Sequence, residues 1–322
     1  LFTGRVGLIV DESIHFKYAK IFCGFASKPC SSINLFMLIK LLLLVIFLSF
    51  LLTVCTDAQI YKDEDVQICE SKFQLAVNNN LNSEPINEII VEIGKSFLGT
   101  DYETHTLEKD GDEQLVINFT GLDCFTFLEN ALVISRCIKQ GKTSFDDYIE
   151  ELTFIRYRNG LIDQYPSRLH YFIDWIYDNQ EKGIVEDATK QLGGEKLELN
   201  LSFMSGHPDY YKQLKLNPEF IKTIKKQEKE INQRDHYFIP KAKISEMEYQ
   251  IENGDLLAFT SAIEGLDVNH VGIAVRMEDR RIHVLHAPNV GYKVQISDKP
   301  LAEYVMGIKN DSGIIVVRAL EP

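Results

Sequence analysis

In "FTGLDCFTFLENAL", residues 119–132, a single cysteine, Cys124, stands where a turn meets an apolar helical stretch. A thiol there serves either as a small core hydrophobe or, once ionised, as a nucleophile. A free thiol titrates near pKa 8.5 and is mostly protonated at neutral pH, so the second role needs help. A helix N-terminus offers some, because its unpaired N–H groups and dipole favour an anion. With Asp123 as N-cap, Cys124 falls in the first turn. The same N–H groups suit the oxyanion of an attacked carbonyl. An adjacent imidazole is the other usual activator.

Of the eight histidines, His105, His207 and His236 sit in polar, loop-like stretches, and His170 shares a helical stretch with Trp175, as packing or as the wall of a cleft. His270 is different. It opens the strand "NHVGIAV", where alternation puts His270, Gly272 and Ala274 on one face. The two small residues leave room for a thiol-bearing helix end to approach that face. A third polar group normally orients the imidazole, and "RIHVLHA" offers two. If the strands form a hairpin, an odd-length loop puts His286 on the face of His270; an even-length one puts His283 there. Spacing alone leaves both open. Zinc has no CxxC, HxxxH or HExxH spacing to support it, so neither metal nor cofactor is expected.

These residues need elements to hold them. "NEIIVEIGKSFLGTDY" has helical spacing at Ile89, Ile90, Ile93 and Phe97, with Gly99 as its end. "EQLVINFTGLDC" predicts a short strand over Leu115 to Phe119. From Asp123 the period is helical again: Cys124, Phe127, Leu128, Ala131, Ser135 and Ile138 share a face, with Gly141 just past the end. Residues 145 to about 235 read as mostly helical, and the runs after Pro240 as short strands. Helices followed by an antiparallel sheet make an α+β fold with the helices segregated to one side.

The 322-residue chain has a net charge of -13, which argues against a nucleic-acid partner. The densest basic run, "IKTIKKQEKEINQRD", is interspersed with acids and reads as a solvated helix face. Near the N-terminus, Met37 and Lys40 lead into an apolar run ending at Thr56-Asp57-Ala58. Residues 37–58 are expected to be a secretory signal peptide cut after Ala58, with an uncleaved anchor or a lipid on Cys55 as the alternatives. Residues 1–36 read as an upstream extension outside the fold, and 59–322 as a single catalytic domain with a helical insertion over about 145–240. The expected location is outside the cytoplasm, in the periplasm. Cys69, Cys124 and Cys137 then remain, an odd number that leaves one thiol free; Cys69 with Cys137 is the allowed disulfide.

"LDCFTFLE", "GDLLAFTSAIEGLDVNHVGIAV" and "VLHAPNVGYKV" together resemble the NlpC-type papain-like cysteine peptidases and amidases of bacterial cell walls. "SRLHYFIDWI" and "FMSGHPDYYKQL" are similar to the N-acetylmuramoyl-L-alanine amidase-like branch. The resemblance runs from about residue 85 to the C-terminus. It implies a papain-like core with the Cys-bearing helix packed on an antiparallel sheet. By position it implies Cys124 as nucleophile, His270 as base, His286 as orienting residue in preference to His283, and Tyr102 beside the nucleophile. Phe125 stands where the generic peptidases have Ser or Thr, which fits the amidase-like branch. The implied reaction cleaves the amide between N-acetylmuramic acid, in its 1,6-anhydro form, and L-Ala in peptidoglycan fragments. Tyr165, Tyr171 and Trp175 are candidates to stack on the sugar. The alternatives are a γ-D-glutamyl–diamino acid endopeptidase and a non-catalytic wall-binding module. No obligate protein partner is implied.

Overall fold

The computed structural model describes residues 59–322; the expected upstream extension and signal segment, 1–58, lie outside them. The first part holds β1 (Gln59–Ile60), α1 (Asp63–Asn78), α2 (Ile86–Lys95), β2 (Asp101–Tyr102), β3 (Leu115–Val116) and β4 (Gly121–Leu122). The long helices α3 (Cys124–Gln140) and α4 (Phe145–Arg156) follow, then α5 (Phe172–Glu181), β5 (Val185–Asp187), β6 (Glu195–Leu197) and α6 (Pro218–Ile231). The chain closes with β7 (His236–Pro240), β8 (Leu256–Ser261), β9 (Val268–Arg276), β10 (Ile282–His286), β11 (Gln295–Ile296), α7 (Leu301–Met306) and β12 (Asp311–Ala319).

Local chemistry fixes where α3 begins. The Asp123 carboxylate accepts the Thr126 N–H at 2.8 Å, and the Asp123 N–H donates back to the Thr126 hydroxyl at 3.0 Å. This reciprocal box satisfies two donors that the first turn leaves unpaired. Gly141, at φ 70°, ends the helix in the left-handed conformation that glycine adopts without strain. Between these ends α3 is buried nearly all round, Phe127, Leu128, Ala131, Leu132 and Ile134 being wholly inaccessible.

Eight strands form one sheet in the order β11-β10-β9-β8-β12-β7-β6, with β5 also pairing with β12; every pair is antiparallel. Helices α2 and α3 cover the face that carries Val271, Ile273 and Val275. Close approach depends on Gly94 of α2, where a methyl group would stand 2.9 Å from Leu285 Cδ2 and 3.2 Å from Ile273 Cδ1. The architecture is a mixed helix and sheet of the α+β kind.

Two expectations change. The helices are not all on one side: Leu301, Ala302 and Val305 of α7, with Ile244 and Ile251, bury the opposite face over Phe259, Ala274 and Val284. The cause is that the central strands are apolar on both faces, and an uncovered apolar face has no stable exposure to water. Residues 145–240 are mostly helical, and β5, β6 and β7 also arise within them and extend the sheet. The allowed disulfide is not formed; Cys69 and Cys137 are buried free thiols.

Candidate active site

Cys124 is the first residue of α3, and its half-buried thiol stands at the end of the sheet where β9 and β10 part. The β9–β10 ladder runs from Arg276↔Ile282 to Ile273↔Leu285 and goes no further. Beyond it, the backbone N–H groups of Val271, Phe125 and Cys124 itself pull the thiol's pKa down.

The hairpin between the two strands pairs Arg276 with Ile282, an odd, five-residue connection. His286 consequently shares a face with His270, and their facing nitrogens, His270 Nε2 and His286 Nδ1, are 2.7 Å apart. His283 faces the other way, with its nitrogens at the Ser297 carbonyl and the Asp279 carboxylate. Gly272 makes the approach possible: a Cβ there would lie 2.7 Å from Val284 Cγ1 and 3.2 Å from His286 Cβ. The expected purpose of that glycine was different. The helix end packs on the Val271 and Ile273 side, and the small residues serve β10 instead.

Tyr304 of α7 completes the cluster. Its ring meets the His286 ring edge-on at 5.2 Å, and its hydroxyl lies 3.5 Å from His286 Nδ1. Among the expected residues, Tyr102 is carried on β2, which pairs in parallel with β4 immediately before Cys124. Burial first, then Cys124 and Asp123, push its phenol up to about 12.

Electrostatics overturn one expectation. Burial, and after it the Asp123 carboxylate, push the Cys124 thiol up to about 12 against the opposing pull of the backbone donors. Burial also holds His270 down at about 4. His286 is held at about 3, by burial and then by the His270 charge. A helix dipole is worth about 0.3–1 kcal/mol at the surface, whereas desolvation of a buried group shifts a pKa by up to ~3–5 units. The resting site is thus a neutral thiol beside two neutral imidazoles. No hydrogen bond joins the Cys124 sulfur directly to the His270 ring; the two border a common cleft.

That cleft, of about 220 Å³, is walled by Phe125, Tyr165, Tyr171, Phe172, Met204 and Tyr211. Tyr165 contributes to the wall with its hydroxyl directed to Glu108. Trp175 does not reach the cleft. Its ring is wholly inaccessible, stacked on Phe172 at 5.0 Å, and its indole N–H donates to the Glu129 carboxylate at 3.3 Å. Glu129 in turn accepts from Arg156 at 2.8 Å, a fully buried pair that ties the Cys124 helix to the end of α4. Trp175 therefore props the wall from behind and has no face to offer a sugar. Asp267, three residues before His270, accepts the Ile173 N–H at 3.0 Å and so substitutes for a cap on α5; burial holds its carboxyl up at about 6. Neither Asp267 nor Tyr304 carries a signal that sequence spacing reveals. Among the described residues no group of three His, Cys, Asp or Glu side chains is placed to hold a metal ion.

Residues 92–314 match the family model described as N-acetylmuramoyl-L-alanine amidase-like. Among solved structures, an N-acetylmuramoyl-L-alanine amidase from Bacteroides uniformis is 36% identical with a TM-score of 0.69, over 73% of this chain and 99% of that one. A Bacteroides fragilis protein whose structure carries a provisional xylanase name is 39% identical with a TM-score of 0.66, over 70% and 98% of the two chains. A protein from Legionella pneumophila, 22% identical over 79% and 95% with a TM-score of 0.60, shares the fold. No curated protein matches the chain.

Proposed function

The chain belongs to the N-acetylmuramoyl-L-alanine amidase-like family, and from that premise we propose that it is a papain-like, Cys124-dependent amidase of the cell wall, cutting the amide between N-acetylmuramic acid and L-Ala in peptidoglycan fragments. The observation that carries this reading is the convergence of Cys124 and the hydrogen-bonded His270–His286 pair at the end of the sheet, bordering an aromatic cleft. A 1,6-anhydro sugar is the form we assign to the substrate. The apolar segment over residues 37–58 supports placing the reaction outside the cytoplasm.

In the proposed mechanism the Cys124 sulfur attacks the lactyl carbonyl as its proton passes to His270. With Nε2 engaged by His286, Nδ1 is the ring nitrogen left to take that proton. Backbone N–H groups at the start of α3 and the Tyr102 hydroxyl stabilise the oxyanion, each donor contributing roughly 10²–10³-fold. As the tetrahedral intermediate collapses, His270 delivers the proton to the departing L-Ala nitrogen, a transfer worth about 10²–10⁴-fold. The thioester that remains is hydrolysed by water, again with His270 as base. Glycoside hydrolysis, which the xylanase name of one neighbour implies for that neighbour, needs two carboxyl groups flanking a bond. Here Glu108 is tied to Arg168 at 2.6 Å and Asp267 to the Ile173 N–H, so neither supports that chemistry.

Incubation with an anhydro-muropeptide and mass analysis of the products tests the assignment. Free anhydro-N-acetylmuramic acid with an intact peptide is expected. Products cut within the stem peptide instead identify an endopeptidase, and no products at all identify a binding module.

A further inference from the structure

The cleft beside Cys124 has a one-sided polar character. None of the side chains that line it is Lys or Arg; its polar groups include Glu108, Asp267, His170 and Asn269. Arg168, the guanidinium that acts most strongly on His170, is buried between Glu108 at 2.6 Å and Glu113 at 3.2 Å. One oxygen of Glu108, Oε2, is buried with no partner.

His170 defines the character of the wall most sharply. Its Nε2 lies 2.9 Å from the Tyr165 carbonyl oxygen. A carbonyl only accepts, so Nε2 carries the proton and Nδ1 presents a lone pair. The ring is held on Tyr165 at 4.3 Å, which fixes the direction of that lone pair. Burial and then the Arg168 charge hold the imidazole well below its usual titration range, so Nδ1 remains an acceptor across physiological pH. The cation that keeps a second proton off His170 also disfavours an ammonium group against it. A carboxylate meets Asp267, and finds Arg168 already paired with Glu108 and Glu113.

We infer that His170 is a specificity-determining residue whose Nδ1 accepts a hydrogen bond from a neutral hydroxyl or amide N–H on the acyl side of the substrate, so that an uncharged sugar enters this cleft and the carboxylate-bearing stem peptide stays outside. The inference rests on the amidase reading for its substrate, and the acceptor geometry gives it a test that does not. An unpaired donor on a bound substrate loses up to about 1.4 kcal/mol for a neutral hydrogen bond, which is tenfold.

The experiment compares the wild-type chain with His170→Phe, which retains an aromatic ring to stack on Tyr165, using an N-acetylmuramoyl-peptide and a D-lactoyl-peptide that has the same scissile amide and no sugar. The expected result is a fall of about tenfold in kcat/KM, mostly in KM, for the sugar substrate and little change for the lactoyl one. Equal falls for both, or none for the sugar substrate, overturn the inference. If the wild type cuts neither amide, the amidase reading fails separately. Saturation-transfer NMR of Cys124→Ala with an uncharged methyl glycoside of N-acetylglucosamine then decides: binding lost on adding His170→Phe supports the inference, and no binding, or binding unaffected by it, overturns it. Circular dichroism of each variant separates these outcomes from misfolding, and His170→Gln, with a side-chain oxygen to accept in place of Nδ1, provides the partial rescue expected if the acceptor matters.

Discussion

His270 Nε2 and His286 Nδ1 stand 2.7 Å apart across the end of the β9–β10 hairpin, and the Tyr304 hydroxyl approaches the same Nδ1 at 3.5 Å. Tyr304 can donate to that nitrogen, as can His270 Nε2–H, so the arrangement favours His286 as acceptor. His270 is then left with its Nδ1 lone pair for the thiol. A pair built in this way acts as a base only while it is neutral.

The pH dependence follows from burial. In the proposed mechanism turnover requires unprotonated His270, whose buried ring resists charge and is held down at about 4. The kcat/KM profile on the acid side is therefore expected to stay level below pH 6.5, the ordinary histidine value, and to fall as pH drops through about 4. Stopped assays over this range check it; a half-maximal rate near pH 6.5 contradicts a buried, neutral base.

Thiol reactivity separates burial from activation. Cys69 and Cys137 are wholly inaccessible and Cys124 is half-buried, so iodoacetamide labels Cys124 first. Because its thiol is pushed up to about 12, the reaction at neutral pH is slower than that of a free cysteine. Peptide mass mapping against a time course reads both statements, and labelling faster than free cysteine indicates a standing thiolate.

Gly272→Ala tests the hairpin geometry. The new methyl meets Val284 Cγ1 at 2.7 Å and the Leu285 carbonyl oxygen at 3.1 Å, forcing β10 and His286 away from His270. Overpacking of this kind costs about 1–3 kcal/mol, and a misplaced orienting group lowers kcat by ~10²-fold. Urea unfolding and steady-state kinetics measure the two effects. Unchanged kcat shows that the His270–His286 contact is dispensable.

Trp175→Ala is expected to destabilise the fold by about 3–5 kcal/mol through the cavity it leaves. Glu129→Ala costs a similar amount, because it strands Arg156 without its buried partner. Trp175→Phe, which keeps most of the packing, is expected to leave KM for the sugar substrate unchanged. A selective rise in KM in that variant places Trp175 in contact with substrate after all.

How much of this was legible in the sequence depends on how local the cause is. The start of α3 was readable because Asp123 and Thr126 are three residues apart and their box is self-contained. The parity of the β9–β10 loop was readable only as a pair of alternatives, since turn geometry, not composition, selects the five-residue connection. Strands β5 and β6 are three residues each, too short for alternation to show against the helices around them. Trp175 has the same side chain whether it faces a cleft or a core, and Glu129, distant in sequence, decides the matter. The elevated thiol was hidden for the same reason: a helix start is visible in sequence, while the burial that outweighs it is a property of the assembled fold.

The central claim, that Cys124 forms the bond to substrate, is tested most directly by rapid-quench intact-protein mass spectrometry with an anhydro-muropeptide. The wild-type chain is expected to gain the mass of one anhydro-N-acetylmuramoyl group, mapped to the Cys124 peptide, while Cys124→Ala gains none and releases no product. Near-native product release by Cys124→Ala, or the acyl mass on another residue, contradicts the account.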